Sequence, residues 1–153
     1  MTSKSFFLAV AATIAVITSA CNPVFVQDPQ VDSTCSNGCV CTYNMTTYKS
    51  ARDLTIKVEA NAQALFNVDY TSSGYGLTIQ SAGVAVVNCR GVSSCYDVRL
   101  LGEGISAYCY GTSSCYSTDC EGASSKIVSC TGVSSCYDSK GCGVPPKALN
   151  NTV

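Results

Sequence analysis

The chain has 153 residues, of which 12 are cysteine and none is histidine or tryptophan. Nine basic residues against ten acidic ones leave a net charge of −1, which excludes the basic footprint that nucleic-acid binding requires. The missing histidine excludes Ser-His-Asp and Cys-His catalysis and every histidine-based metal site, and the length fits one domain with a modest core.

Residues 1–20 read as a secretory signal peptide. Lys4 precedes an uncharged run from Phe6 to Ile17, and Thr18-Ser19-Ala20 places small residues at positions −3 and −1 of a cut after Ala20. The run is shorter than the roughly 20 apolar residues of a membrane span, so no membrane attachment is expected once it is removed. Cys21 also stands where bacterial lipoproteins take their lipid, but Thr18 replaces the leucine usual in those signals. The mature chain keeps all 12 cysteines, an even number that reads as a disulfide framework in an oxidising compartment. Asn44-Met45-Thr46 and Asn150-Asn151-Thr152 fit the N-glycosylation pattern, with meaning in a eukaryotic host.

Residues 21–52 hold Cys21, Cys35, Cys39 and Cys41 among Pro, Asp, Ser and Thr without sustained periodicity, which predicts a disulfide-tied N-terminal cap. A Cys₄ metal site is disfavoured because no Cys-x-x-Cys pair occurs, so neither a metal nor a cofactor is expected. From Leu54 to Tyr70 apolar and polar residues alternate strictly, with Leu65 the one exception. Period two means strand, and 17 residues are too many for one, so a bend is expected around Glu59 to Gln63.

A repeat then takes over. Residues 89–97, 109–117 and 130–138 share six of nine positions in the form Cys-x-Gly-x-Ser-Ser-Cys-Tyr-x, at separations of 20 and 21 residues. Leu54-Thr55-Ile56 and Leu77-Thr78-Ile79 are 23 apart, and Tyr70 to Tyr75 looks like a copy that has lost its cysteines. A period of 20 to 23 is too short for a helical repeat and matches one winding of a β-solenoid. Short apolar segments at Val84–Val87, Ile105–Ala107 and Ile127–Val128 supply its strands. The expected fold is all-β: a small right-handed parallel β-helix of about four windings over residues 53–143, followed by a flexible tail over 144–153.

If like residues stack, each cysteine column holds three members, and pairing down a column would strand one thiol. Pairing inside a winding strands none: Cys89 with Cys95, Cys109 with Cys115, and Cys130 with Cys136. Cys120 and Cys142 share a column past the motifs and are expected to pair, leaving the four N-terminal cysteines to one another. Gly91, Gly111 and Gly132 are expected to make the sharp turn that brings each pair together. The Cys-x-Gly-x-Ser-Ser-Cys unit resembles that of a family of uncharacterised, secreted, cysteine-rich repeat proteins of microbial eukaryotes. Over roughly residues 77–143 that resemblance implies a parallel β-helix and carries no activity with it. The chain also resembles, with a longer winding, the disulfide-braced solenoids of insect antifreeze proteins.

Three functions compete. An extracellular module binding a glycan or protein would use the repeated Tyr96, Tyr116 and Tyr137 with Ser94, Ser114 and Ser135, although tyrosine packing and serine hydrogen bonding explain both columns without a ligand. Ice binding would use a regular flat face, but the column Val92, Thr112, Val133 is not a threonine row. A polysaccharide-cleaving enzyme needs converging carboxylates, whereas Asp97, Glu103, Asp119, Glu121 and Asp138 are scattered. The non-enzymatic extracellular module, with no catalytic residue, is the reading the sequence favours.

Overall fold

A computed structural model describes residues 21–121 and 126–143. The expected leader, the expected tail and Asn150 lie outside them. The described residues contain eleven strands and no helix. One parallel sheet runs in the order β1 (Val24–Gln27), β3 (Val40–Met45), β5 (Gln63–Val68), β7 (Val84–Cys89), β9 (Ile105–Cys109), β11 (Lys126–Cys130). The other contains β2 (Ser33–Cys35), β4 (Thr55–Val58), β6 (Thr78–Ser81), β8 (Arg99–Gly102) and β10 (Asp119–Glu121). Successive strands alternate between the sheets, so the chain is a parallel β-solenoid of about five laps, one for each strand of the second sheet.

The alternating run from Leu54 to Tyr70 breaks into β4 and β5 at a turn closed by Ala62 N–H on the Glu59 carbonyl. Equivalent residues lie directly over one another: Ile56, Ile79 and Leu100 in the second sheet, and Phe66, Val87 and Ala107 in the first. All six are buried, so the core is a set of apolar columns between the sheets, repeated at about 4.8 Å.

Residues 21–52 sit differently from the separate cap that the sequence suggested. β1, β2 and β3 join the same two sheets and add a lap to the expected four. With four and three residues, β1 and β2 are too short to display a period. β3 does alternate: Cys41, Tyr43 and Met45 point inward, and Tyr43 stacks on Phe66 of the next lap with centroids 4.9 Å apart.

From each first-sheet strand to the next second-sheet strand the chain follows an arc with an unusual backbone. Ser93, Cys95 and Asp97 all have φ between 52° and 57°, as do Ser113, Cys115 and Ser117, and Ser134, Cys136 and Asp138. Alternate left-handed residues double the chain back, bringing the Cys89 and Cys95 Cα atoms to 5.9 Å. They also aim every second peptide along the solenoid axis. Ser93 N–H donates forward to Thr112 O at 2.8 Å, Cys95 N–H backward to Ser73 O at 3.1 Å, and Asp97 N–H forward to Tyr116 O at 2.9 Å. Each left-handed non-glycine residue costs on the order of 1 kcal/mol, and these hydrogen bonds offset it.

Gly91, Gly111 and Gly132 play a different part from the one expected. None has a positive φ; the left-handed positions fall on serine, cysteine and aspartate instead. Glycine is required because laps approach closely there: a Cβ on Gly111 would lie 2.1 Å from the Gly91 carbonyl oxygen, and one on Gly132 would lie 2.1 Å from that of Gly111.

The N-terminal end is closed by side chains that imitate a missing lap. Inside the solenoid, Arg90 and Gly91 N–H both donate to the Val68 carbonyl; in the first arc, Thr46 and Thr47 N–H donate to Asp28 Oδ1 at 2.6 and 3.0 Å. Thr78 N–H donates to Leu54 O, and its first-lap counterpart, Thr55 N–H, donates to Asp32 Oδ1 at 2.7 Å. Ala51 N–H finds Pro29 O at 2.7 Å, where Gly74 N–H finds Ser50 O. Burial by itself would raise the Asp28 carboxyl, but hydrogen bonds from the Ser50 hydroxyl, Thr46 N–H, the Gln27 amide and the Thr46 hydroxyl outweigh it and hold the group well below the usual carboxylate range.

Gly111→Ala is expected to cost about 3 kcal/mol or more, or to prevent folding, because the clash is with backbone. Gly38→Ala, with φ +74° and nothing within 4 Å of the added carbon, should cost only about 1 kcal/mol in urea unfolding. For Asp28 the depressed folded-state pKa means stabilisation that is present above the unfolded value near 4 and lost as pH falls through the folded value. The stability gap between the parent and Asp28→Asn should therefore narrow below about pH 4; a gap that stays constant in acid would remove Asp28 as a charged cap.

Candidate functional site

The tyrosines of the repeat form one continuous stack at the outer side of the arcs. Tyr75, Tyr96, Tyr116 and Tyr137 follow one another with centroids 5.2, 4.9 and 5.3 Å apart. The Arg52 guanidinium closes the column 4.9 Å from the Tyr75 ring. Tyr75 and Arg52 extend the set read from the sequence, and the signal for both is that Met45–Leu54 and Val68–Leu77 align with the motif without a gap. Stacking covers both faces of Tyr96 and Tyr116, leaving ring edges and hydroxyls outward. Tyr137, 58% exposed, ends the column, with Val133 in the same arc 72% exposed. Burial among its neighbours, then the approach of Tyr96, Tyr137 and Asp138, pushes the Tyr116 phenol above its ordinary value.

Ser94, Ser114 and Ser135 do not share that surface. They are fully buried, and each hydroxyl donates to a carbonyl three residues back: Gly91 at 2.8 Å, Gly111 at 2.7 Å and Gly132 at 2.7 Å. Ser73 does the same to Tyr70. The hydroxyl joins the serine's own N–H on the same carbonyl, at 3.2, 3.1 and 3.1 Å for Ser94, Ser114 and Ser135, which makes the column a backbone device and takes it out of any ligand surface.

All 12 cysteines are paired. Cys89–Cys95, Cys109–Cys115 and Cys130–Cys136 each bridge one arc, Cys120–Cys142 joins consecutive laps, and Cys21–Cys39 with Cys35–Cys41 ties the first lap. The sulfurs of Cys89, Cys95 and Cys115 lie within 4.8 Å of one another, but as disulfides they offer no thiolate to a metal. In the cysteine-free laps Val68 lies against Gly74, and buried Met45 and Ala51 hold the equivalent positions, so a large and a small residue stand where the bridge would be.

The carboxylates spread along the surface. Glu121 pairs with Arg99 at 3.0 Å and Asp69 with Arg90 at 3.1 Å, each across neighbouring laps. Asp97, Glu103 and Asp138 are exposed on arcs and corners. An open groove of about 450 Å³ runs along the corner after the second sheet, lined by Lys57, Val58, Gln80, Ser81, Leu101 and Gly102 among others.

The outer faces of the two sheets differ in charge. The second carries Lys57, Arg99, Asp119 and Glu121. The outward residues of β3, β5, β7 and β9 include no charge at all. Along the solenoid axis Asn44, Asn67 and Asn88 form an amide ladder, with Asn67 Nδ2 donating to Asn44 Oδ1 at 3.0 Å and Asn88 Nδ2 to Asn67 Oδ1 at 3.3 Å. Tyr108 continues the column, and Tyr110 stands beside it with centroids 6.2 Å apart. This face escaped the sequence reading, whose attention went to the identical positions of the repeat; its signal is the asparagine at steps of 23 and 21 residues. The glycosylation candidate Asn44 is thus the half-buried end of a hydrogen-bonded column. Compared with known protein families, curated proteins and solved structures, the chain matches none, so its chemistry rests on its own residues.

Replacing Cys109 by Val and Cys115 by Gly copies the Val68/Gly74 lap, and should keep the fold at a cost of about 2 to 3 kcal/mol, the worth of a short disulfide loop. Cys109→Ala with Cys115→Val conserves apolar character but places a β-branched residue at φ +53°. It should lose about 2 kcal/mol more in denaturant unfolding, and equal midpoints for the two variants would count against the left-handed position as the governing constraint.

Proposed function

We propose that the chain is a secreted, non-catalytic module that holds a rigid surface toward an extracellular glycan or protein. Six disulfides bracing about five short laps carry this reading, since such bracing suits an oxidising compartment and a core too small to stand unaided. The arcs serve the scaffold: tyrosine faces cover one another and serine hydroxyls bind their own backbone. A non-catalytic role is supported by Asp69 and Glu121 being held in surface ion pairs and by Glu59 being the one acid among the described residues that line the open groove, where hydrolysis of a glycoside would use two.

The test uses the chain from Cys21 onward with all disulfides formed, offered to a glycan array and to extracellular-matrix proteins. Retention on one of them with no release of sugar ends or peptides is the expected result. Turnover of a retained glycan, or retention on neither array, would overturn the proposal.

A further inference from the structure

The outer face of β3, β5, β7 and β9, which carries no charge, has the makings of a ligand site. Resting on the reading of a binding module, we propose that this face binds a neutral polysaccharide lying along the solenoid axis. Charge is the first argument. The outward positions of β3, β5, β7 and β9 hold no acid or base, while the second sheet carries both signs; at the border of this field Arg90 and Asp69 pair with each other at 3.1 Å, and Lys126 follows on β11 in register with Ser106. A charged polymer would meet no counter-charge on these four strands and would lose its hydration.

The amide ladder is the second. An asparagine side chain has two N–H donors and two acceptor lone pairs. Asn67 uses one of each within the ladder, at 3.0 and 3.3 Å, which leaves it one donor and one acceptor, while Asn44 only accepts and Asn88 only donates in it, so three amides about 4.8 Å apart keep spare capacity. Sugar hydroxyls donate and accept from adjacent carbons, and a row of half-used amides answers them without any charge.

The third is apolar surface beside the amides. The column runs on into Tyr108 with Tyr110 next to it, 44% exposed, and these two rings are not clamped inside the arc stack. Leu65, 36% exposed, flanks the ladder on its other side, and Val84, 52% exposed, stands one column further out. Ring and aliphatic carbons meet the C–H face of a pyranose, while the amides take its hydroxyl edge.

Area separates this occupant from a second copy of the chain. Four strands about 4.8 Å apart and six residues of about 3.3 Å give a face of about 400 Å², half of the roughly 800 Å² that each partner gives to a stable interface. A linear polymer needs only the strip along the ladder and gains by crossing successive laps.

The mature, fully oxidised chain is to be sedimented with insoluble cellulose, chitin and β-1,3-glucan, and with alginate gel as the anionic comparison. Depletion from solution by at least one neutral polymer, insensitive to added salt, is expected. Tyr108→Ser combined with Tyr110→Ser should weaken retention at least about ten-fold, and Asn88→Leu, which refills its column like neighbouring Val86, should weaken it without removing an aromatic ring. Thr78→Lys, on the second sheet, should leave it unchanged. Unfolding midpoints and disulfide count confirm that each variant is folded. Equal retention of parent and folded variants would move the site elsewhere and leave the binding-module reading intact. Retention on alginate alone would overturn the ligand class. Retention on no polysaccharide, with capture by matrix proteins, would sink this inference only; capture by neither would sink both.

Discussion

Each lap of this chain lies one inter-strand spacing from the next, with equivalent residues directly superposed, and that spacing dictates what the other parts can be. It leaves no volume for a Cβ where the arcs begin, hence Gly91, Gly111 and Gly132. It also turns side-chain repetition into columns. Phenol rings placed one lap apart stack at about 5 Å, asparagines one lap apart pair their amides, and arginine meets acid across neighbouring laps. None of these contacts needs a long-range search once two laps are in register.

The same spacing explains why the arcs tolerate so much left-handed backbone. Three non-glycine residues in each cysteine-bridged arc adopt φ near +55°, a strain that would be hard to sustain in an isolated loop. Here the alternation points successive peptides forward and backward along the axis, where the neighbouring arcs hold the complementary groups. The disulfide closes each arc across its base, and where cysteine is missing, Val68 against Gly74 keeps the shape by volume alone. The ends of the stack lack one neighbour, and at the N-terminus Asp28 and Asp32 supply the oxygens that a preceding lap would have offered. That substitution uses carboxylates as imitations of carbonyls, which is why Asp28, held below the usual carboxylate range by its hydrogen bonds, sits in the first lap.

The scaffold separates two kinds of surface. The arcs and the second sheet hold charges, some of them in exposed ion pairs worth little to stability. The first sheet presents a flat field of amides, aliphatic groups and tyrosine. Parallel sheets usually have both faces covered, so the exposed face of β3, β5, β7 and β9, without a charge, is the natural place to look for a partner.

Composition and spacing determined much by themselves. Twelve cysteines, a 20- to 23-residue period and strict alternation from Leu54 define a β-solenoid, and column parity alone places three bridges within laps. Tertiary structure decided what local pattern could not carry. β1 and β2 are too short to show a period and become strands only because β3 and β4 pair with them. The repeat glycines look like turn-makers in one dimension, yet their necessity comes from a carbonyl one lap away. Ser94 and Tyr96 are equally regular in the sequence, but one turns inward to its own backbone and the other outward into a stack. Periodicity reports that positions are equivalent; only the packed laps decide which equivalent positions meet solvent.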